Sequence, residues 1–386
     1  MKAVLLSSLL LLLAPLAFGY ATFIGYGYSS CLTCHINGQG AGPLNDYGRA
    51  LWSAEIASRA LYPKSMTDEE IAAQSGFLGS VELPTWFRPY FKYRELHLTR
   101  NFRGPNEIKS FYRMQQDLGL TVSDSVGKYL ATITYGNLNE RSEGTPNKRY
   151  LAREYYLRAE IVETWWLYVG LMEKVFGIRR VEHTSNQRSP QGFNYYLNST
   201  TGHAQSEGVM VQKIAENWEF TGNVFWGNPH DIPEVRHKGA GFMTERDVGE
   251  KQRLGASYQN AKSEINEREL YALHYRQGFT KGAGMIFEYG FINNADVGQQ
   301  KTRGSYNLLE ALVPFTRGYN LRTEVERYNA DFKASVADQW RWSVGILAFP
   351  IPRLELRADV ENRRAFSNQT VEDDNWTFLG QIHVSL

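Results

Sequence analysis

Residues 353–361 read RLELRADVE, and the alternation in this stretch decides the class of fold. Its apolar positions are separated by charged ones: Leu354, Leu356, Ala358 and Val360. Successive side chains of a β-strand point to opposite faces, so the pattern predicts a strand with one apolar and one polar face. Residues 218–226 and 340–349 repeat the same period of two.

The spacing of such strands identifies the architecture. From residue 81 onward we count about sixteen strands, the first near residues 86–102. Short turns are predicted at residues 125–127, 163–164, 215–217, 281–282, 317–318 and 350–352, and long polar loops at 138–148, 173–203, 228–238, 293–304, 329–339 and 364–375. Alternation of short turns and long loops is typical of outer-membrane barrels. It is not expected of the alternative fold, a soluble β-sandwich. We predict a mainly β fold, with an antiparallel transmembrane barrel over residues 81–386.

The ends of the predicted strands and the net charge agree with a barrel in lipid. Residues 378–386 alternate up to Leu386 and resemble the terminal strand that bacterial barrel-insertion machinery reads, although that signal usually ends in an aromatic residue. Tryptophans near strand ends suit aromatic girdles: Trp165, Trp166, Trp218, Trp340 and Trp376. The net charge of +1 predicts no nucleic-acid partner.

The first residues predict export. Lys2 precedes an apolar run from Val4 to Leu13, and small residues follow it. This is the pattern of a signal peptide over residues 1–19, cleaved at 19/20 or 21/22. The run is too short for a membrane-spanning helix. We therefore expect the outer membrane of a Gram-negative bacterium as the location.

Residues 20–80 carry helical signals. Asn45 is placed to cap a helix that Pro63 would end, and Thr67 with Glu70 forms a capping-box pattern. We expect a small α-helical domain here. A domain of this size buries only a marginal apolar core of its own, so we expect it to pack against the barrel as its second wall. The lumen of a sixteen-stranded barrel is wide enough to hold it. Predicted lumen-facing charges would then surround it or line a hydrated pore: Arg322, Glu324, Glu326, Arg341, Glu355, Arg357 and Asp359.

The helical segment contains Cys31-Leu32-Thr33-Cys34-His35, which predicts a covalent c-type haem. The two thiols would bind the vinyl groups as thioethers, and His35 would ligate the iron. A thioredoxin-like pair would need a βαβ surround, and a zinc site would need further cysteines, but the chain has only these two. Residues 20–80 are thus predicted to be a monohaem cytochrome c domain.

The sixth iron ligand is predicted to be Met66, the one methionine between His35 and the barrel. His97 and an open or lysine-ligated iron are the alternatives. A histidine in an external loop is usually only solvated, and four fall there: His183, His203, His230 and His237. His383 is expected to face the lumen near the periplasmic rim.

The layout of export signal, C-x-x-C-H site, Leu44-Asn45-Asp46-Tyr47-Gly48 segment and barrel resembles the fused monohaem cytochrome–porins of iron-oxidising bacteria. The resemblance implies haem binding at Cys31, Cys34 and His35, and electron flow from external iron to periplasmic carriers. Residues 23–27 read FIGYG where those iron oxidases usually carry a basic, Gln-containing stretch, so the donor stays open. Residues 176–180 with His183 are similar to the inward-folding loop of some porins.

The motif and the barrel predict an outer-membrane electron carrier, and the resemblance implies a ferrous-iron oxidase-like activity as one form of it. Its partners would be membrane lipid, a periplasmic cytochrome c or similar carrier, and an extracellular redox substrate such as iron. One haem cannot span the roughly 30 Å hydrocarbon core alone, so a second carrier must approach an opening. The alternatives are a solute porin with a haem-bearing plug or redox sensor, and a haem enzyme such as a peroxidase.

Overall fold

A computed structural model describes residues 23–38, 43–75, 81, 83–101, 106–142, 145–178, 204–334, 338–367 and 370–386. The predicted signal peptide and both cleavage sites, together with His183 and His203, lie outside these ranges. Within the ranges, no helix has the length and apolar character needed to cross a membrane.

Sixteen antiparallel strands form one closed barrel in which each strand pairs with its neighbours in sequence and β1 pairs with β16. This confirms the predicted fold. The strands are β1 Phe87–Arg100, β2 Ile108–Ser123, β3 Tyr129–Ser142, β4 Thr145–Val162, β5 Trp165–Glu173, β6 Gln205–Ala215, β7 Trp218–Gly227, β8 Lys238–Gly249, β9 Gln252–Lys262, β10 Asn266–Gly278, β11 Gly284–Asp296, β12 Thr302–Thr316, β13 Tyr319–Asn329, β14 Asp338–Ile351, β15 Leu354–Ser367 and β16 Thr370–Ser385.

The barrel places apolar side chains outside and charged ones inside. On β14, Val344 and Ile346 lie on the outer face and are 40% and 47% exposed. Arg341 lies on the inner face of the same strand and is fully buried. Such an apolar outer surface belongs in a bilayer, because a closed barrel leaves no unpaired strand edge and needs lipid only on its outer face. Cations lie over the exposed rings of three tryptophans at the strand ends, namely Trp165, Trp218 and Trp340, which supports the predicted girdles.

Two of the predicted long loops are instead hairpins. Residues 138–148 continue as β3 and β4 with two residues between them, and residues 364–375 continue as β15 and β16 in the same way. The prediction was wrong here because polar side chains end the apolar band but do not break backbone pairing. The ladder hydrogen bonds need only extended backbone, so strands can continue beyond the membrane.

The N-terminal segment before the barrel is largely helical, as predicted. It contains 3₁₀ turns at Phe23–Tyr26 and Cys31–Thr33, helix α1 at Asp46–Leu51 with a π-helical continuation at Trp52–Ile56, and helix α2 at Asp68–Ala73. Asn45 caps α1 through a 2.8 Å bond from the Gly48 backbone N–H, and Thr67 and Glu70 form the predicted capping box on α2.

The first helix ends at Ile56, well before Pro63. The cause is tertiary, because the Ser58 backbone N–H donates to the Phe349 carbonyl at 2.8 Å. The Phe349 carbonyl of the barrel thus accepts the hydrogen bond that the Ser58 N–H would have made within a longer helix.

Candidate functional site

The N-terminal segment lies inside the barrel, at the mouth formed by the short turns. We call residues 23–38 and 43–75 the plug. Its polar contacts go to inward-pointing side chains of the wall and to side chains of the short turns. Ser30 donates to Glu219 at 3.1 Å, and Asn37 donates to Glu154 at 3.2 Å. In the turn between β8 and β9, Lys251 donates to the Gly25 carbonyl at 2.7 Å. This agrees with the expectation that the segment needs the barrel as its second wall.

An apolar contact fastens the plug to the wall. Leu312, Leu347 and Phe349 point inward from β12 and β14 and share one buried cluster with plug residues. The plug contributes Cys34, Leu51, Ile56 and Ala57, with Tyr26, Tyr28, Leu44 and Trp52 packed against them. The sequence carried a signal for this contact, because the inward positions of β14 change from Arg341 and Ser343 to apolar residues towards the short turn.

The C-x-x-C-H motif forms one tight turn at the start of the plug. The backbone N–H groups of Cys34 and His35 both donate to the Cys31 carbonyl, at 3.2 and 2.9 Å. Asn45 holds the turn from the other side, since its amide donates to the carbonyls of Leu32 and Thr33 at 3.3 and 3.0 Å. The two cysteines and the histidine thus lie within one turn, the arrangement that covalent attachment of one haem would use.

The segment that follows the motif packs directly on it. His35 pairs with Leu44 in an isolated antiparallel bridge. A Cβ added at Gly48 would lie 2.3 Å from the Cys34 carbonyl oxygen, so only glycine permits this approach of α1. The Leu44–Gly48 segment is therefore the support on which the C-x-x-C-H turn rests.

Both cysteines are free thiols in environments that disfavour the thiolate. Burial raises the pKa of Cys34 to about 11, with a smaller effect from neighbouring Cys31. Burial also raises the pKa of Cys31. The positive charge of Arg276 lowers this pKa, and the negative charge of Glu219 raises it. A neutral thioether, like the neutral thiol, is compatible with these surroundings.

The two proposed axial ligands occupy different surroundings. His35 lies on the bridge with Leu44, beside the apolar cluster. Met66 precedes α2, where its sulfur accepts from the Gln74 amide at 4.0 Å and its carbonyl accepts from Arg59. Ligation by Met66 stays a prediction.

His97, the alternative ligand, lies on the outer surface. Its side chain is exposed, and its ring packs edge-on against Phe111, which is 58% exposed, with ring centroids 5.7 Å apart. The neighbouring inward positions Arg94 and Leu96 are buried. This alternative was wrong, because the strand parity that turns Arg94 and Leu96 inward turns His97 towards lipid.

Sequence reasoning missed three interior methionines. Met172, Met210 and Met243 are almost fully buried and belong to one cluster with Ile36, the residue that follows His35. Strand alternation could have placed Met210 and Met243 on inward faces, but only the closed barrel brings these strands to the plug. They are further thioethers near the motif.

The other histidines divide between wall and loop. His383 faces the lumen as predicted, with Nδ1 3.2 Å from Glu355 and 3.3 Å from Arg94. His237 is not merely solvated, as predicted for an external loop, but buried, with Nε2 3.2 Å from the Asn266 side-chain oxygen. Burial, together with the cations Arg268 and Lys174, lowers its pKa to about 3. The nearby His230 Nε2 lies 3.0 Å from the Ala152 carbonyl.

The predicted lumen charges all face inward, and all of them except Glu355, which contacts His383, are joined in one network of ion pairs. Arg322 contacts Glu310 and Asp359, each at 2.9 Å, and also Glu324. Arg341 contacts Glu326 at 2.8 Å and Glu361 at 2.7 Å. On the opposite wall, beside Cys31, Arg253 contacts Glu219 and Glu245. Each of these buried charges thus has an oppositely charged partner, which offsets part of its desolvation cost.

The segment after β5 folds into the lumen, as its similarity to a porin loop implied. Gly177 donates to the Ser257 hydroxyl at 3.0 Å, and Ile178 donates to Glu288, an inward residue of β11. Phe176 and Ile178 pack on inward apolar residues of β10 to β12. Residues 179–203 of this loop lie outside the described ranges.

Comparison with solved structures finds porins. The matches include OmpT of Vibrio cholerae (8% identity, TM-score 0.59, covering 78% of this chain and 97% of that one). An anion-selective porin from Comamonas acidovorans has 10% identity and a TM-score of 0.58, with 78% and 99% covered. OprB of Pseudomonas putida has 8% identity and a TM-score of 0.59, with 78% and 94% covered. No protein-family profile and no curated sequence matches the chain. At these identities the likeness shows a porin-like barrel fold.

Proposed function

We propose that this chain is a porin-like outer-membrane barrel whose plug carries one covalent haem c and transfers electrons through it. Cys31 and Cys34 would hold the haem as thioethers, and His35 would ligate its iron. One observation carries the proposal: the C-x-x-C-H turn is anchored inside the barrel mouth rather than on a separate domain. Short turns face the periplasm in barrels of this type, so the haem would be reached from that side.

The plug and the wall provide the protein's share of this chemistry. When bound, haem supplies a one-electron iron couple. The cluster around Cys34 would pack on the ring and exclude water from it, which affects the potential because burial is one of its controls. Asn45 and Gly48 would fix the orientation of the turn. A periplasmic cytochrome c or similar carrier would dock at the short-turn mouth.

Electron transfer across the whole membrane needs a second partner. A haem at the short-turn mouth leaves most of the roughly 30 Å core to be crossed. An external one-electron substrate must therefore enter from the long-loop side, and ferrous iron is the one that the family resemblance implies. The direction of flow follows from the potentials of these partners.

The alternative is a solute porin with a haem-bearing plug that blocks the pore or senses redox state. Two observations favour it: the likeness in fold to porins and the inward loop at residues 174–178. The two proposals share the haem and differ in whether solutes pass.

Covalent attachment is the first test. The Cys31→Ala/Cys34→Ala double variant should lose haem stain on a denaturing gel while retaining the heat-modifiable mobility of a folded barrel. The wild-type protein should show a six-coordinate, low-spin spectrum, which electron transfer favours. Covalent haem in the double variant, or none in the wild type, would contradict the proposal. A five-coordinate iron would instead indicate a haem enzyme such as a peroxidase.

A further inference from the structure

A cavity lies between the plug and the barrel wall, next to the cluster that contains Cys34. We propose that this cavity is an anion site that binds the two propionate carboxylates of the haem, and this rests on the proposed function. The cavity opens to solvent, and its space together with that solvent region amounts to about 410 Å³. Arg49 and Trp52 border it from the plug, Lys92 from β1, and Arg353 from the turn between β14 and β15.

The charged side chains that line the cavity are positive, and Leu386, which follows β16, lines it as well. Arg49, Lys92 and Arg353 line it, and none of its described lining residues has an acidic side chain. Asp46 partly neutralises Arg49, but Asp46 also binds Arg88, with 2.8 Å to its Nε. Burial lowers the pKa of Arg353, and the neighbouring guanidinium of Arg49 lowers it further, so these two cations repel each other across the site. A bound anion would relieve this repulsion.

A buried donor also points to a ligand. The indole N–H of Trp52 is screened from solvent and has no hydrogen-bond partner among the residues that the structure describes. A tryptophan N–H can only donate, and buried donors are nearly always satisfied. Trp52 borders the cavity, so an acceptor bound there would supply what the protein does not.

The turn that carries Arg353 holds this residue in an uncommon conformation. Its φ is 74°, which is unfavourable for a residue with a side chain. Its guanidinium donates to the Ser75 carbonyl of the plug at 2.7 Å. The contact ties the cation to the plug side of the cavity, where the anion would lie.

The cavity adjoins the predicted attachment site. Leu44, which pairs with His35, lines the cavity, and both Leu44 and Trp52 pack on the cluster that contains Cys34. A haem is apolar except for the edge that carries its two carboxylates. A ring on the apolar cluster therefore needs a cationic site close by for that edge, and the cavity is such a site.

The test uses full-length haem-loaded protein and four single variants: Arg49→Gln, Lys92→Gln, Trp52→Phe and, as control, Arg246→Gln. Arg246 is a matched cation because it lies near the short turns over Trp218. Haem stain reports attachment through the cysteines, and spectroelectrochemical titration from pH 5 to pH 9 reports the potential.

We expect haem stain in all variants. Loss of a cation should lower the potential, because a positive charge near the iron disfavours its ferric form. It should also introduce a pH dependence of the potential as the propionates begin to titrate in this range. Trp52→Phe should shift this titration, whereas Arg246→Gln should match the wild type. Added inorganic phosphate should not change the wild-type potential, since the site is filled.

Three outcomes are decisive. If the cavity variants match Arg246→Gln in potential and pH profile, the propionate assignment is wrong. If phosphate shifts the wild-type potential, the cavity is open to a free anion and the assignment is again wrong. If the wild type has no covalent haem, the proposed function itself fails, and haem stain distinguishes this case from the other two.

Discussion

Asn45 shows how single residues define this site. Its side chain accepts from the Gly48 N–H as the cap of α1, and it donates to the carbonyls of Leu32 and Thr33 in the motif turn. The capping role was readable from sequence, because a cap acts within one helical turn. The second role was not, since it joins residues twelve and thirteen positions apart.

The sixth iron ligand is a prediction at this scale. If Met66 ligates the iron, Met66→Ala should remove the near-infrared sulfur-to-iron band of the ferric protein. It should also lower the potential by on the order of a hundred millivolts, given the range that axial ligands command. Met66→His should restore a low-spin haem at low potential.

Met210→Leu and Met243→Leu are the matched comparisons, because both residues are buried thioethers in the cluster with Ile36. They should leave the band intact. Loss of the band in one of them, with Met66→Ala unchanged, would assign the ligand to the barrel wall.

At the scale of elements, the end of the first helix is completed by the barrel. Arg317, in the turn between β12 and β13, donates to the carbonyls of Ser53, Ala54 and Ala57 and contacts Asp68 at 3.0 Å. The last carbonyls of a helix have no partner within it, and a cation at this end is favourable. One barrel turn therefore both caps the helix and fastens the plug.

Arg317→Ala should loosen the plug without opening the barrel. Loss of charge-assisted bonds of this kind costs roughly 1–3 kcal/mol. We expect faster limited proteolysis within residues 43–75, and unchanged heat-modifiable mobility. Arg246→Ala, at the same rim, is the control. Equal proteolysis of the two variants would show that Arg317 does not hold the plug.

At the scale of the whole molecule, plug and loop meet in the interior. Ile36 of the plug and Val175 of the inward loop belong to one buried cluster with wall residues of several strands. Among the described residues, the plug and the inward loop thus meet at this point and narrow the lumen.

Single-channel conductance in planar bilayers tests this arrangement. The wild-type protein should conduct poorly, and deletion of residues 23–75 should increase conductance severalfold, as expected for a barrel with a wide lumen. Outer-membrane fractionation and heat-modifiable mobility check that both forms are folded barrels. High conductance in the wild type, with a solute preference, would favour the solute porin.

The sequence alone was sufficient for the strand count, the closed barrel, the inward charges, the two helix caps and the C-x-x-C-H motif. These features depend on alternation along one strand, on hydrogen bonds within one turn, or on adjacent residues, so they are local. Backbone pairing beyond the apolar band was not predictable, because polar side chains are compatible with a ladder.

Only the tertiary structure decided what the plug touches. It placed Leu347 and Phe349 under Cys34, turned His97 towards lipid, paired the lumen charges with one another, and gathered Arg49, Lys92 and Arg353 around one cavity. Each of these facts joins residues far apart in the chain. Their proximity depends on which strands neighbour one another after the barrel has closed around the plug, and local periodicity carries no information about that closure.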